Sequence, residues 1–208
     1  MLTTYQSSGS VHKAGVNIPL VSSFTVTGHT SSYTNVAGYN IYVFTTSGSI
    51  AFNNNFSATP QVMLCGAGAG GGYDTGGGGG GGQMLQLANY ALPLVDTMTF
   101  SIGSGGAGGT SNSINGYNGG NTTMTFTTNT SYNKTAYGGI GGGSYSKSPL
   151  SNTTLNQSGS GGGLSYSNGT QSTVNSTGSN NGGLGTPLSG SCGGGAGQVG
   201  GNRVGGDG

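Results

Sequence analysis

The stretch VMLCGAGAGGGYDTGGGGGGGQ, residues 62–83, decides how the rest of the chain is read. A short apolar run ends at Cys65 and meets a tract that is almost pure glycine. A flexible linker is the default meaning of such composition. It accounts poorly for 66–82, because apolar runs flank that tract and further glycine tracts recur at 103–109, 138–143, 159–163, 182–185 and 193–208. A phosphate-binding loop is the next candidate, since Gly66, Gly68 and Gly71 satisfy G-x-G-x-x-G directly after the apolar run. That site requires a helix whose N-terminus holds the pyrophosphate. Here Gly76 to Gly82 follow instead, and glycine costs about 1 kcal/mol per residue relative to alanine in a helix. No lysine follows a glycine, which removes the Walker loop. Collagen needs glycine in a strict three-residue register with abundant proline, whereas the tracts keep no such register and the chain has five prolines. Three aspartates are too few for calcium-binding glycine repeats.

An ordered glycine framework remains. Glycine adopts the extended left-handed threefold helix of polyproline II, rising about 3.1 Å per residue, and unlike proline it keeps its N–H. Several such helices side by side satisfy one another's donors and acceptors, and a missing side chain permits the close approach. Ordering costs about 1–2 kcal/mol per residue. Many bonds of about 0.5–1.5 kcal/mol each and an apolar anchor must offset it. On this reading Gly66, Gly68, Gly76, Gly79, Gly103, Gly106 and Gly194 form the lattice.

The anchor is expected from residues 1–65, read as antiparallel β-structure. Phe24 and Val26 alternate with threonines, and Ile41 and Val43 alternate with Tyr42 and Phe44. A turn at Ser47-Gly48 before Ile50 and Phe52 suggests a hairpin. Residues 60–65 form another strand, and helical periodicity is absent. Within 66–208 the insert 83–102 has its own apolar content, read as strands at 83–88 and 97–102 around a turn containing Pro93. The expected fold is all-β: an antiparallel β-sandwich-like N-terminal part over 1–65, then a glycine-rich region over 66–208 of polyglycine II-type helices.

Charge narrows the function. The chain has 208 residues, 49 of them glycine, with 3% charged side chains and a net charge of +1. Such a surface has little to keep it dispersed. Nucleic acid is not an expected partner, because phosphate binding needs clustered Lys and Arg. No stretch approaches the roughly 20 apolar residues of a membrane span, and no signal peptide opens the chain. Catalysis would rest on three Asp and two His, His12 and His29, with no two acids close in sequence. The expectation is a non-enzyme without cofactor or metal. Cys65 and Cys192 fit no metal pattern; two small buried thiols and one disulfide between the tracts both stay open. Eight N-x-S/T sequons, at Asn55, Asn121, Asn129, Asn133, Asn152, Asn156, Asn168 and Asn175, matter only in a glycosylating compartment.

The chain from residue 40 to 208 resembles the glycine-rich domain of phage and large-virus structural proteins, which includes tail-fibre tip adhesins. Phe44, Thr45, Gly48 and Phe52 match the hairpin of that pattern. Ile102, Gly103, Gly105, Gly106, Gly108 and Gly109 match the strand that ends in a glycine run. The family pattern closes with an apolar strand after G-G-D-G, and this sequence stops at Gly208. Two functions follow as expectations. One is a virion structural protein of capsid or tail, associating with copies of itself, a trimer by analogy with viral spikes, and with other virion proteins. The other is an extracellular adhesin that meets a host-surface glycan or protein through loops 110–137 and 144–158, with Tyr117, Tyr132, Tyr137 and Tyr145 as contacts. A secreted fibre or matrix protein is the third option.

Overall fold

A computed structural model of the chain describes residues 14–19, 24–36, 39–52, 60–88, 90, 96–145 and 159–163. Among them the protein is almost entirely β-strand and extended backbone, with one three-residue 3-10 turn at Thr130–Tyr132. The all-β expectation therefore holds. Ten strands are present among the described residues: β1 Ala14–Pro19, β2 Phe24–Thr27, β3 Ser31–Val36, β4 Tyr39–Phe44, β5 Gly48–Phe52, β6 Gln61–Cys65, β7 Met84–Leu87, β8 Asp96–Ser101, β9 Thr122–Phe126 and β10 Lys134–Ala136. They form two five-stranded sheets, ordered β3-β4-β1-β6-β7 and β10-β9-β8-β5-β2. The paired strands with a described register are all antiparallel.

The chain separates into two compact units. The first comprises Met1–Cys65, Leu85–Ile102 and Thr122–Thr135; the second comprises Gly66–Met84, Gly103–Asn121 and Ala136–Gly208. The composition change at Cys65 marks where the chain first leaves the first unit. It then returns twice, once through the apolar insert and once through β9, the 3-10 turn and the start of β10.

The first unit has its core where period-2 patterning puts it. Along β5, β6, β8 and β9, alternate residues are buried: Ile50 and Phe52, Val62 and Leu64, Met98 and Phe100, Met124 and Phe126. Phe44 of one sheet lies against Phe100 of the other, with ring centroids 4.7 Å apart and planes inclined by 32°.

The expected hairpin across Ser47-Gly48 does not form. β4 pairs with β1 and β3, whereas β5 pairs with β2 and β8 in the other sheet. The connection crosses between sheets, and a second crossover at Gly28 runs beside it. Thr30 Oγ1 and Thr45 Oγ1 lie 2.6 Å apart, the Thr45 N–H donates to Thr30 Oγ1, and the Thr30 N–H donates to the Val43 carbonyl. Gly28 has φ +78°, and a Cβ there would sit 2.9 Å from the Ser47 carbonyl oxygen. Alternation of side chains reads the same for a strand paired to its neighbour or to a distant partner, so the sequence could not reveal the crossing.

The region 110–137, read as a recognition loop, is instead largely built structure. It holds β9, the 3-10 turn and β10. The TTMTF run of β9 alternates like the other strands, a signal that its threonine-rich composition masked. Strands β1 and β3 also went unread.

A carboxylate organises the turn after β9. Asp96 is buried at the start of β8 and accepts from the Thr97 N–H at 2.7 Å, the Asn129 N–H and side-chain amide at 2.9 Å each, and the Thr128 N–H at 3.1 Å. Burial pushes its pKa up, but the bonds from the Asn129 side chain and from the backbone of Asn129, Thr97 and Thr128 outweigh it and hold the group below the ordinary carboxylate value. With the folded pKa below the unfolded one, the clamp contributes fully above about pH 4. The contribution is lost as pH falls through the folded value. Asp96→Asn is expected to cost about 2–3 kcal/mol at pH 7, with the gap to the parent closing in acid. Urea unfolding at neutral and acid pH checks it, and a pH-independent difference would remove the charge from the explanation.

Candidate functional site

The second unit is built from extended segments, labelled here g1 (66–73), g2 (76–83), g3 (103–109), g4 (115–121), g5 (137–145) and g6 (159–163). Their backbone bonds recur at every third residue. The N–H groups of Gly66, Ala69 and Gly72 in g1 donate to the carbonyls of Gln83, Gly80 and Gly77 in g2. Ala67 and Gly70 donate to Gly120 and Tyr117 in g4. The carbonyls of Gly68 and Gly71 accept from Gly106 and Gly109 in g3, and those of Ala67, Gly70 and Tyr73 accept from Gly139, Gly142 and Tyr145 in g5. Segment g1 is thus bonded to g2, g3, g4 and g5. The others follow the same rule: Gly77, Gly80 and Gln83 donate to Gly143, Ile140 and Tyr137, and Ile140 and Gly143 donate to Ser160 and Gly163.

Where the backbone runs out of partners, asparagine supplies them. Asn115, Asn118 and Asn121 stand three residues apart on g4, and their Oδ1 atoms accept the N–H groups of Ser144, Gly141 and Gly138 at 2.9–3.0 Å. All three donors are buried. This N-x-x-N-x-x-N spacing was visible in the sequence and went unread.

Glycine is needed here for space rather than for backbone conformation. Among the described glycines Gly28 alone has positive φ, and it lies outside these segments. A Cβ added at Gly66, Gly76, Gly79, Gly103 or Gly106 would come within 3.0 Å of a neighbouring segment's backbone. Gly68 differs, since nothing lies within 4 Å of its Cβ position. Gly194 lies outside the described residues.

At one end of the bundle Gly66 bonds Gln83, Gln83 bonds Tyr137, and Ala67 bonds Gly120. Turns occupy the other end. There the Oγ of buried Ser144 accepts the Tyr73 N–H at 2.7 Å and donates to the Ile114 carbonyl at 2.5 Å, and the Tyr145 N–H donates to the Tyr73 carbonyl. One serine thereby fixes three exposed residues side by side: Tyr73 at 46%, Ile114 at 40% and Tyr145 at 37% exposure. The adjoining turn is strained, with Asp74 at φ 43° and Thr75 at φ 50°. A left-handed β-branched residue costs about 1–2 kcal/mol, so Thr75→Gly is expected to stabilise the chain by about 1 kcal/mol, allowing for glycine's greater entropy loss on folding. A thermal melt measures this, and an unchanged or lower Tm would mean the turn is not strained.

Of the other tyrosines named from sequence, Tyr117 is exposed to 57% on g4. Tyr137 is half-buried, its N–H donating to the Gln83 side chain at 3.2 Å. Tyr132 belongs to the first unit and packs edge-on against Phe126 and Tyr90. Cys65 carries a free, half-buried thiol whose pKa burial pushes up, which disfavours the reactive thiolate. Cys192 lies outside the described residues, and the disulfide question with it. Among the described residues no cluster of three metal-ligating side chains occurs, and no helix is long and apolar enough to cross a membrane.

A glycine-rich domain model matches residues 45–208. The chain belongs to this glycine-rich domain family. The matched span begins at Thr45, at the crossover between sheets, and takes in all six segments of the glycine-rich domain. No curated protein and no solved structure matches the chain.

Proposed function

We propose that this protein is a non-enzymatic virion structural component, of capsid or tail, in which a β-sandwich carries a polyglycine II lattice. The observation that supports this reading best is the three-residue bond step linking six segments. A β-ladder would alternate with the two-residue period of its side chains and offer each strand two neighbours. Three residues per turn is the period of an extended left-handed helix, and g1 bonds four neighbours at once. A body cross-linked in several directions by backbone bonds is stiff without a large apolar core. Such a part suits a particle subjected to stress outside a cell. Scant charge and four sheet-ending strands, β2, β3, β7 and β10, favour life in an assembly with copies and other virion proteins. Immunogold labelling of purified particles, with mass spectrometry of their proteins, tests the proposal. Absence of the chain from particles whose genome encodes it would end the structural reading.

The adhesin reading has one observation in its favour, the rigid Tyr73–Ile114–Tyr145 cluster at the turn end. Tyrosine presents large amphipathic area at small entropic cost, which suits contact with a host glycan or protein. On that reading the chain acts at the cell exterior. Tyr73→Ala with Tyr145→Ala should then abolish host-cell binding while leaving the melt unchanged; equal binding by the double variant removes the cluster from recognition.

A further inference from the structure

Two asparagines of the g4 row are each followed by glycine, as Asn115-Gly116 and Asn118-Gly119. Asparagine is chemically labile, and before glycine it cyclises most readily, because no side chain shields the next nitrogen or stiffens the backbone. That nitrogen, once it has lost its proton, attacks the asparagine Cγ. A C–N bond forms, the side-chain nitrogen leaves as ammonia, and a succinimide ring remains. Water then opens the ring at either carbonyl, giving aspartate or isoaspartate. The bundle cannot avoid these dipeptides. Asparagine is needed at 115 and 118 to accept the Ser144 and Gly141 N–H groups. Glycine is needed at 116 and 119, where a Cβ would overlap the Gly70 and Ala67 carbonyls.

The bonds to g5 also restrain both reacting groups. Asn118 Oδ1 accepts the Gly141 N–H at 2.9 Å, while the Gly119 N–H donates to the Gly139 carbonyl at 2.9 Å. Asn115 Oδ1 accepts the Ser144 N–H at 3.0 Å, while the Gly116 N–H donates to the Gly142 carbonyl at 2.9 Å. In each pair the side chain and the next nitrogen are tied to g5 residues two apart. The proton that must leave rests on a carbonyl oxygen, which is too weak a base to take it. Gly116 is buried and Gly119 half-buried, so base from solvent has poor access. Swinging either side chain back over its own backbone would leave a buried N–H of g5 without its acceptor.

We propose that Asn115 and Asn118 are latent deamidation sites gated by g5, unreactive while g4 is bonded to it and converted once local opening releases g4. The conversion is one-way. Aspartate at either position keeps the main-chain spacing and the accepting oxygen. Isoaspartate routes the main chain through its own side-chain carbons and adds one backbone atom before the next glycine. The three-residue step that sets Asn115, Asn118 and Asn121 against Ser144, Gly141 and Gly138 is then broken. A chain that stays open long enough to form isoaspartate does not rebuild this face of the bundle.

The test is peptide mapping by mass spectrometry on the full chain, held in warm, mildly alkaline buffer with and without guanidinium. Enzymatic methylation counts the isoaspartate. Unfolded chains should convert at both sites, and folded chains at least tenfold more slowly. Unfolded chains that do not convert, or folded chains that convert as fast as unfolded ones, overturn the proposal. Asn121→Ala removes the neighbouring bond to the Gly138 N–H and leaves both dipeptides intact, so the folded variant should convert at Asn118 at least threefold faster than the parent. An unchanged rate means that the bonds between g4 and g5 are not the gate. Should that variant fail to fold, the parent in low guanidinium decides. Its conversion at Asn118 must rise in step with amide exchange at Gly119 and Gly141, and a rate independent of that exchange overturns the gate. Converted chains are then returned to native buffer. Those carrying aspartate should regain the parent melt and those carrying isoaspartate should not; isoaspartyl chains that melt like the parent overturn the one-way step.

Discussion

Replacing Gly70 with alanine is expected to cost about 3 kcal/mol or more, while replacing Gly68, two residues away, costs nothing. Both positions lie in g1 with the same composition around them, and neither has positive φ. A linker would treat them alike. The difference lies in what surrounds them. A Cβ at Gly70 would overlap the Ala107 carbonyl, with the Gly108 nitrogen next at 2.7 Å, and g3 is held in place by its bonds to g1 and g4. The neighbour cannot retreat without giving up those bonds, so the strain is not relieved by a side-chain rotation. At Gly68 nothing lies within 4 Å. There alanine removes entropy from the unfolded chain and is expected to stabilise by up to about 1 kcal/mol. For a chain of this size a 3 kcal/mol loss lowers Tm by roughly 6–12 °C. Paired melts of the two variants measure the contrast. Equal melts would mean that crowding is not what selects glycine here.

The asparagine row is expected to come next in size. Asn118→Ala strands the buried Gly141 N–H, which has its bond at 2.9 Å from Asn118 Oδ1. Leaving a buried donor unpaired costs about 1–3 kcal/mol. Removing Asn115, Asn118 and Asn121 together should cost about 3–9 kcal/mol on the same basis, less any relief as g4 and g5 shift together. Asn118→Asp discriminates the cause. It keeps the accepting oxygen, and because residue 118 is exposed the new charge stays solvated, so the change is expected to be small. Chemical denaturation of the alanine and aspartate variants gives the comparison. If both lose the same stability, the acceptor is not what g4 contributes.

Much of this protein was legible from local chemistry. The period-2 runs around Ile50, Val62, Met98 and Phe100 fixed strand and buried face, because alternation follows from strand geometry alone. The failure of G-x-G-x-x-G as a nucleotide site followed from what glycine costs a helix. The shift at Cys65 marked a change of structural regime, since a chain without side chains cannot continue an apolar core. What sequence could not give was partnership. Whether Ser47-Gly48 turns a hairpin or crosses between sheets depends on strands far along the chain. Tyr73, Ile114 and Tyr145 become one surface only because Ser144 joins three segments. Gly68 and Gly70 are the same letter, and only the packing decides that one faces open space and the other a carbonyl. The physical reason is common to all three. Backbone conformation is set by each residue and its neighbours, whereas close approach and bond pairing are set by whichever distant segment the fold brings alongside.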